Sequence, residues 1–230
     1  MAERLAALME VVMCSGFPTQ LFLLTVMASF GMQLRLPDGG WSPLFVTTLS
    51  LLDTALLLAL IVFFLRSRGE RVRSVLLGVR PVASEIALGF LLLPFIFVLA
   101  ALVLGILFTI APELHNVARN PLQDMLRNPR DTAVFALAAM IAGGLREEVQ
   151  RGFILHRFRQ SLGGGPFGVM VYSLFFGLGH LDQGYDAAIA VATLGAIWGS
   201  LYLIRGSIVA PMVSHAAFNL TQVIKFVVLR

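Results

Sequence analysis

Residues 143 to 151, Gly-Gly-Leu-Arg-Glu-Glu-Val-Gln-Arg, place four ionisable side chains, Arg146, Glu147, Glu148 and Arg151, in a stretch otherwise suited to lipid. No charge occurs between Thr132 and Leu145, and none between Gly152 and Leu155. An ionisable group at membrane depth costs about 2.5–3.5 kcal/mol on insertion scales, so such groups face a bundle interior and usually carry function. On a helix, Glu147 and Arg151 lie four residues apart and Glu148 and Arg151 three, so the arginine can hold one carboxylate while the other works. Two further clusters follow in apolar surroundings: Phe176 with His180, and His215 with Asn219, each one helical turn apart. Taken singly, the charges could be a helix end in water and each histidine a hydrogen-bonded packing residue. Taken together, costly polar groups on three separate helices should converge on one another.

The chemistry this set can do is attack of water on a carbonyl. A desolvated glutamate takes a proton from water and returns it to a leaving amine. Histidines position the water, or bind a metal that acidifies it. Asn219 and Arg151 can donate hydrogen bonds to the oxyanion that develops. No HExxH pattern is present, and no Ser or Cys stands in a nucleophile context. A zinc ion, if present, would take Glu147, His180 and His215, with one position open. The metal-free route is favoured, because no pair of histidines lies four apart and metal-bound histidines need an acceptor on the second ring nitrogen. Asp182 is the only such acceptor near His180, none is evident near His215, and Arg151 would oppose a dication.

The elements that must carry these residues are membrane helices. The chain has 230 residues, 58% hydrophobic and 13% charged, about half the charged fraction of a soluble domain. A spanning helix needs about 20 apolar residues. Runs that qualify or nearly so lie at about 10–33, 43–65, 84–110, 132–156, 166–181, 186–204 and 208–229. The expectation is therefore an all-α, multipass bundle of about seven spanning helices, with residues 1–230 as a single membrane domain. Lipid tolerates no open sheet edge. A kink is expected at Pro18, an N-cap at Asp131-Thr132, a surface-lying segment at 74–79, and close helix packing at Gly195 and Gly199. Asp53, mid-span, reads as a carboxyl bonded to a neighbouring helix. Cys14 is the only cysteine, which excludes a disulfide framework and a thiolate metal cage. No cleavable signal peptide is expected.

Arginine accounts for all basic residues but Lys225, and the densest group, Arg66 to Arg73 followed by Arg80, marks a cytoplasmic loop. Arg4, the five loop arginines, Arg157, Arg159 and Arg205 then fall inside, and Arg35, Arg119, Arg127, Arg130, Lys225 and Arg230 outside. The net charge of +4 reflects these topology signals, and no nucleic-acid partner is expected.

Glu147-Glu148 with Arg151, Phe176 to His180, and His215 to Asn219, in that order, resemble the signature of the CAAX prenyl endopeptidase-like and bacteriocin-processing intramembrane proteases. The resemblance covers about residues 132–222. It implies a catalytic core there, with Glu147, Glu148, Arg151, His180, His215 and Asn219 as site residues, membrane lipid as surroundings, and a peptide or protein substrate entering from the bilayer. It also implies a hydrolase of a class that includes metalloprotease-like assignments. The family spacing is Glu-Glu-x-x-x-Arg, whereas only Val149 and Gln150 precede Arg151 here. Aligning on Arg151 would pair Arg146 with Glu147, so Glu147 is the base under either alignment. The expected activity is an intramembrane endopeptidase of a bacterial cytoplasmic membrane, cleaving near the cytoplasmic leaflet without a required cofactor. The competing readings are a non-catalytic protein of the same fold that sequesters a peptide or partner, and a haem protein with His180 and His215 as axial ligands.

Overall fold

The computed structural model of the protein describes residues 1–126 and 128–228. The architecture is all α-helical, and among the described residues the single β-bridge joins Arg35 to Trp41. Helices α1 (Ala2–Met13) and α2 (Phe17–Ser29) form a pair bent by 41°. The bend comes at residues 14–16, before Pro18, where Gly16 adopts φ +89°. Pro18 itself occupies the first turn of α2, where a missing N–H costs nothing. A Cβ on Gly16 would lie 2.6 Å from the guanidinium of Arg146, so the turn requires glycine for space as well as for φ.

Helix α3 (Pro43–Ser67) starts at Ser42, whose hydroxyl accepts from the Phe45 N–H at 3.3 Å. The short α4 (Val72–Leu76) buries Val75 and Leu76 and overlaps only the first part of the surface segment expected at 74–79. Helix α5 (Val82–Ile110) is the most apolar and contains Pro94. Then follow α6 (Pro129–Ala138), a π-helical segment (Ala139–Arg146), and α7 (Glu147–Ser161) without a break. The cap of α6 is Asn128, whose side chain accepts from the Asp131 N–H at 2.9 Å, three residues earlier than the expected cap. Pro129 suits the first helical position and so fixes the start there. Helices α8 (Gly165–Leu178), α9 (Tyr185–Arg205) and α10 (Val209–Val228) complete the bundle.

Among the described residues, fewer than seven helices are long and apolar enough to span a membrane. By length and composition α3, α5 and α9 can cross a membrane, and the bent α1–α2 pair makes a fourth. Helix α8 has 14 residues. The other two expected runs carry the ionisable and amide side chains of the site, which dilute their hydropathy. The end of the last run, at residue 229, lies outside the described residues, as do Arg127 and Arg230 of the charge count. The protein is nonetheless an integral membrane helical bundle.

Small residues bring the core helices together. A Cβ on Gly195 would lie 2.8 Å from the Phe176 ring, and one on Gly177 2.8 Å from the Ala188 carbonyl oxygen, so α8 and α9 meet almost backbone to backbone. The bundle has two chemically different ends. At one, residues 66–81, 156–161 and 205–208 gather: His156 meets Glu70 at 2.7 Å, and Arg205 pairs with the buried Glu85 at 2.5 Å. Fully buried Arg157 donates to Glu10 at 2.5 Å and to Glu70 at 2.6 Å. At the other end, the segment 112–126 covers the helix ends. Its Asn120 amide donates to Gln183 at 3.0 Å, and His115 meets Asp186 at 2.7 Å.

Candidate active site

The π-helical segment delivers the two glutamates. Gly143 and Gly144 lie in it, and a Cβ on Gly144 would come within 2.5 Å of the Ala216 methyl of α10. That close approach carries His215 and Asn219 up to Glu147 and Glu148. A mid-helix π turn often marks a functional site. Here Arg146, the last residue of the segment, is anchored from outside: it pairs with Asp53 of α3 at 2.5 Å. Asp53 also accepts from Thr19 of α2 at 2.5 Å and from Gln20 at 3.4 Å. The reading of Asp53 as a carboxyl bonded to a neighbouring helix describes this arrangement.

The two glutamates have different surroundings. Glu148 is 1% exposed. It pairs with Arg151 and accepts from His215 Nδ1 at 2.7 Å. Glu147 faces a cavity of about 490 Å³, which His180, His215, Asn219, Phe176 and Trp198 also line. Its Oε2 lies 3.7 Å from His215 Nε2. Of the two pairings open to Arg151, the structure therefore has the one with Glu148, and the other carboxylate is left facing the cavity.

Arg151 is fully buried and is not part of the cavity wall. Among the described residues its Nε and Nη2 find no hydrogen-bond acceptor. Three aromatic faces surround it instead: Phe176, Tyr172 and Trp198, with ring centres 4.8, 5.0 and 5.6 Å from Cζ. The π faces of these rings offset part of the desolvation that the lone pairs of an acceptor would otherwise offset. Direct donation from Arg151 to a substrate in the cavity does not fit this geometry. Its contact with the site runs through Glu148.

Both histidines have a fixed tautomer. His180 Nδ1 lies 2.7 Å from the Phe176 carbonyl oxygen, which can only accept, so the proton is on Nδ1 and Nε2 carries a lone pair. His215 Nδ1 donates to the carboxylate of Glu148, which leaves Nε2 likewise free to accept. The His215 ring is stacked on Trp198 with centres 3.9 Å apart, and the indole N–H donates to Ser214 at 2.9 Å. Asn219 Nδ2 makes a long bond, 3.4 Å, to the Ala139 carbonyl.

Two expectations about acceptors are corrected by this arrangement. His215 does have one, in Glu148. The acceptor of His180 is the Phe176 backbone and not Asp182. In type and tautomer, Glu147, His180 and His215 fit a zinc ion. In spacing they do not: among the described residues no three His, Cys, Asp or Glu side chains are close enough together to hold an ion.

Sequence reasoning missed Trp198 and the Asp53–Arg146 pair. Trp198 stands in an apolar helix where an aromatic is unremarkable. Arg146 stands out as one of four ionisable side chains at 143–151 and Asp53 as a carboxyl bonded to a neighbouring helix, but the sequence reading does not join them; an arginine and an aspartate each stranded in apolar helices are the signal that they pair.

Residues 129–221 match the family described as Rce1-like, type II CAAX prenyl endopeptidase Rce1-like. This match supports the resemblance drawn from the three motifs, over the part of the chain that carries them. No curated protein and no solved structure matches the chain.

Proposed function

We propose, with the Rce1-like character of residues 129–221 as premise, that the protein hydrolyses a peptide bond of a membrane-associated peptide or protein. The observation that carries this reading is the cavity-facing Glu147 carboxylate, 3.7 Å from an imidazole nitrogen that carries a lone pair. Water held between Glu147, His215 Nε2 and His180 Nε2 gives a proton to Glu147 while its oxygen adds to the scissile carbonyl carbon. The oxyanion takes a hydrogen bond from the Asn219 amide, whose present bond to Ala139 is long and easily surrendered. The C–N bond then breaks, and Glu147 returns the proton to the leaving amine.

Glu148 acts at one remove. It fixes the His215 ring through Nδ1 and in turn is held by Arg151, so both are positioning residues. The reaction needs no metal in this scheme. The apolar remainder of the cavity, with Phe135, Leu194 and Phe218 in its wall, suits a lipid-embedded or acylated segment. The membrane is proposed to be a bacterial cytoplasmic membrane.

The test is reconstitution of the purified chain in vesicles with membrane peptides in ¹⁸O-labelled water. Cleaved products carrying one ¹⁸O in the new carboxyl, absent with Glu147→Gln, are expected. The shortened Glu-Glu-x-x-Arg spacing favours one other reading, a non-catalytic peptide-sequestering protein. A cellular phenotype unchanged by Glu147→Ala would establish that one instead.

A further inference from the structure

Two expectations read from the sequence, a cytoplasmic arginine-rich loop and cleavage near the cytoplasmic leaflet, cannot both hold in this fold. The cavity runs along the last part of α10, from His215 past Asn219 and Gln222 to Phe226, and along the first part of α9, from Trp198 back to Ala187. It is walled by the beginning of α3, at Val46 and Ser50, and reaches Asn120 and Leu122 of the covering segment. Every one of these places lies toward the end formed by residues 112–126 and 179–186. A second, smaller cavity, between Trp41, Pro121, His180 and Gln183, lies at that end too.

The opposite end is filled. Below Glu148, α7 carries Phe153, Leu155 and Arg157, all fully buried. Arg157, Glu10 and Glu70 close the bundle there with ion pairs at 2.5 and 2.6 Å. This filled end holds the nine basic residues counted above from Arg4 to Arg205, while Arg35, Arg119, Arg130 and Lys225 are the described basic residues of the cavity end.

Resting on the proteolytic reading, we infer that the site is entered from the non-cytoplasmic face, and that the substrate is a membrane peptide cut within the outer leaflet. The charge bias places the filled end in the cytoplasm, and the cavity descends from the other. Eleven residues separate His215 from Phe226, a depth of about 16 Å at helical rise. An extended substrate covers that distance with about five residues at roughly 3.3 Å each. The substrate class is thus a peptide anchored in the membrane, whose flexible outward-facing segment dips about five residues into the bilayer to reach Glu147.

Impermeant-maleimide labelling tests this in cells, or in spheroplasts where an outer membrane intervenes. The variants are Glu113→Cys at the cavity end and Arg71→Cys at the filled end, each in a Cys14→Ala chain. Both positions are exposed. Labelling of Glu113→Cys in intact cells, with Arg71→Cys labelled only after permeabilisation, is expected. Labelling of Arg71→Cys from outside, or failure of Glu113→Cys to label until permeabilisation, overturns the inference. Should either variant fail to accumulate, reporter fusions after residues 113 and 71 give the same two outcomes. None of these readouts requires proteolysis. A chain that labels as expected yet cleaves nothing would count against the function and not against the orientation.

Discussion

Glu147 and Glu148 are adjacent in sequence, but one looks into a cavity and the other is enclosed by Arg151 and His215. Their variants should therefore fail in different ways. Glu147→Gln removes the proton acceptor while leaving the buried pair intact. Activity should fall by about 10²-fold or more, with thermal stability in detergent within about 1 kcal/mol of the parent. Glu148→Ala strands a fully buried guanidinium, and breaking such a pair costs about 3–5 kcal/mol. That variant should lose activity and melting temperature together. Adding Arg151→Met to it should recover much of the stability and none of the activity. Measured melting curves in which Glu147→Gln is the less stable of the two single variants would contradict these assignments. The metal-free scheme is tested at the same scale. Activity is expected to survive prolonged chelation, with no stoichiometric zinc in the active protein. Zinc at about one per chain, lost with activity and restoring it on return, would turn His180 and His215 into ligands and make Glu148 the carboxylate that orients His215 through its other ring nitrogen.

At the scale of elements, the site depends on how closely α10 approaches the π-helical segment. Gly144→Ala puts a methyl within 2.5 Å of the Ala216 side chain. A clash of this kind between helix backbones costs about 1–3 kcal/mol. The larger effect should be on turnover, because His215 and Asn219 move with α10. Cleavage that drops at least tenfold while Gly105→Ala, at a glycine with open space around it, stays near the parental rate would bear this out. Much of this layer was legible. Costly side chains in apolar runs pointed to segments that line one cavity, with His180 standing two residues past the end of α8. The π turn was not legible, because one extra residue per turn leaves no trace in hydropathy. Among the described residues, helices of span length are fewer than the apolar runs for a related reason: a run can change its winding within itself, as at 139–146, or be short, as in α8. The break near Pro18 was placed two residues late, since a proline marks the start of a helix as readily as a kink within one.

Across the whole molecule, the filled end ties α1 and the 66–71 segment to α7 through Glu10, Glu70 and Arg157. Burial by itself would raise the pKa of Glu70. Hydrogen bonds from His156, Arg157 and Gln160, with the charge of Arg157, outweigh it and hold the carboxyl below its ordinary value of 4.5. A lowered folded-state pKa means that the carboxylate stabilises the fold above the ordinary value and ceases to do so as pH falls through the folded-state value. The gap in melting temperature between the parent and Glu70→Gln should be constant from pH 7 to about 5.5 and narrow below about 4.5. A gap that widens on acidification would show that another group governs this end.

The stack of Trp198 on His215 has an optical consequence. The chain contains two tryptophans, and the other, Trp41, is at the rim near Pro121. In a Trp41→Phe chain every photon of indole emission would come from beside the imidazole that faces Glu147. A peptide that displaces water from the cavity should shift that emission to the blue, and a proton arriving on the imidazole should quench it. Occupancy of the site could then be followed in real time, with no label, before any product has formed.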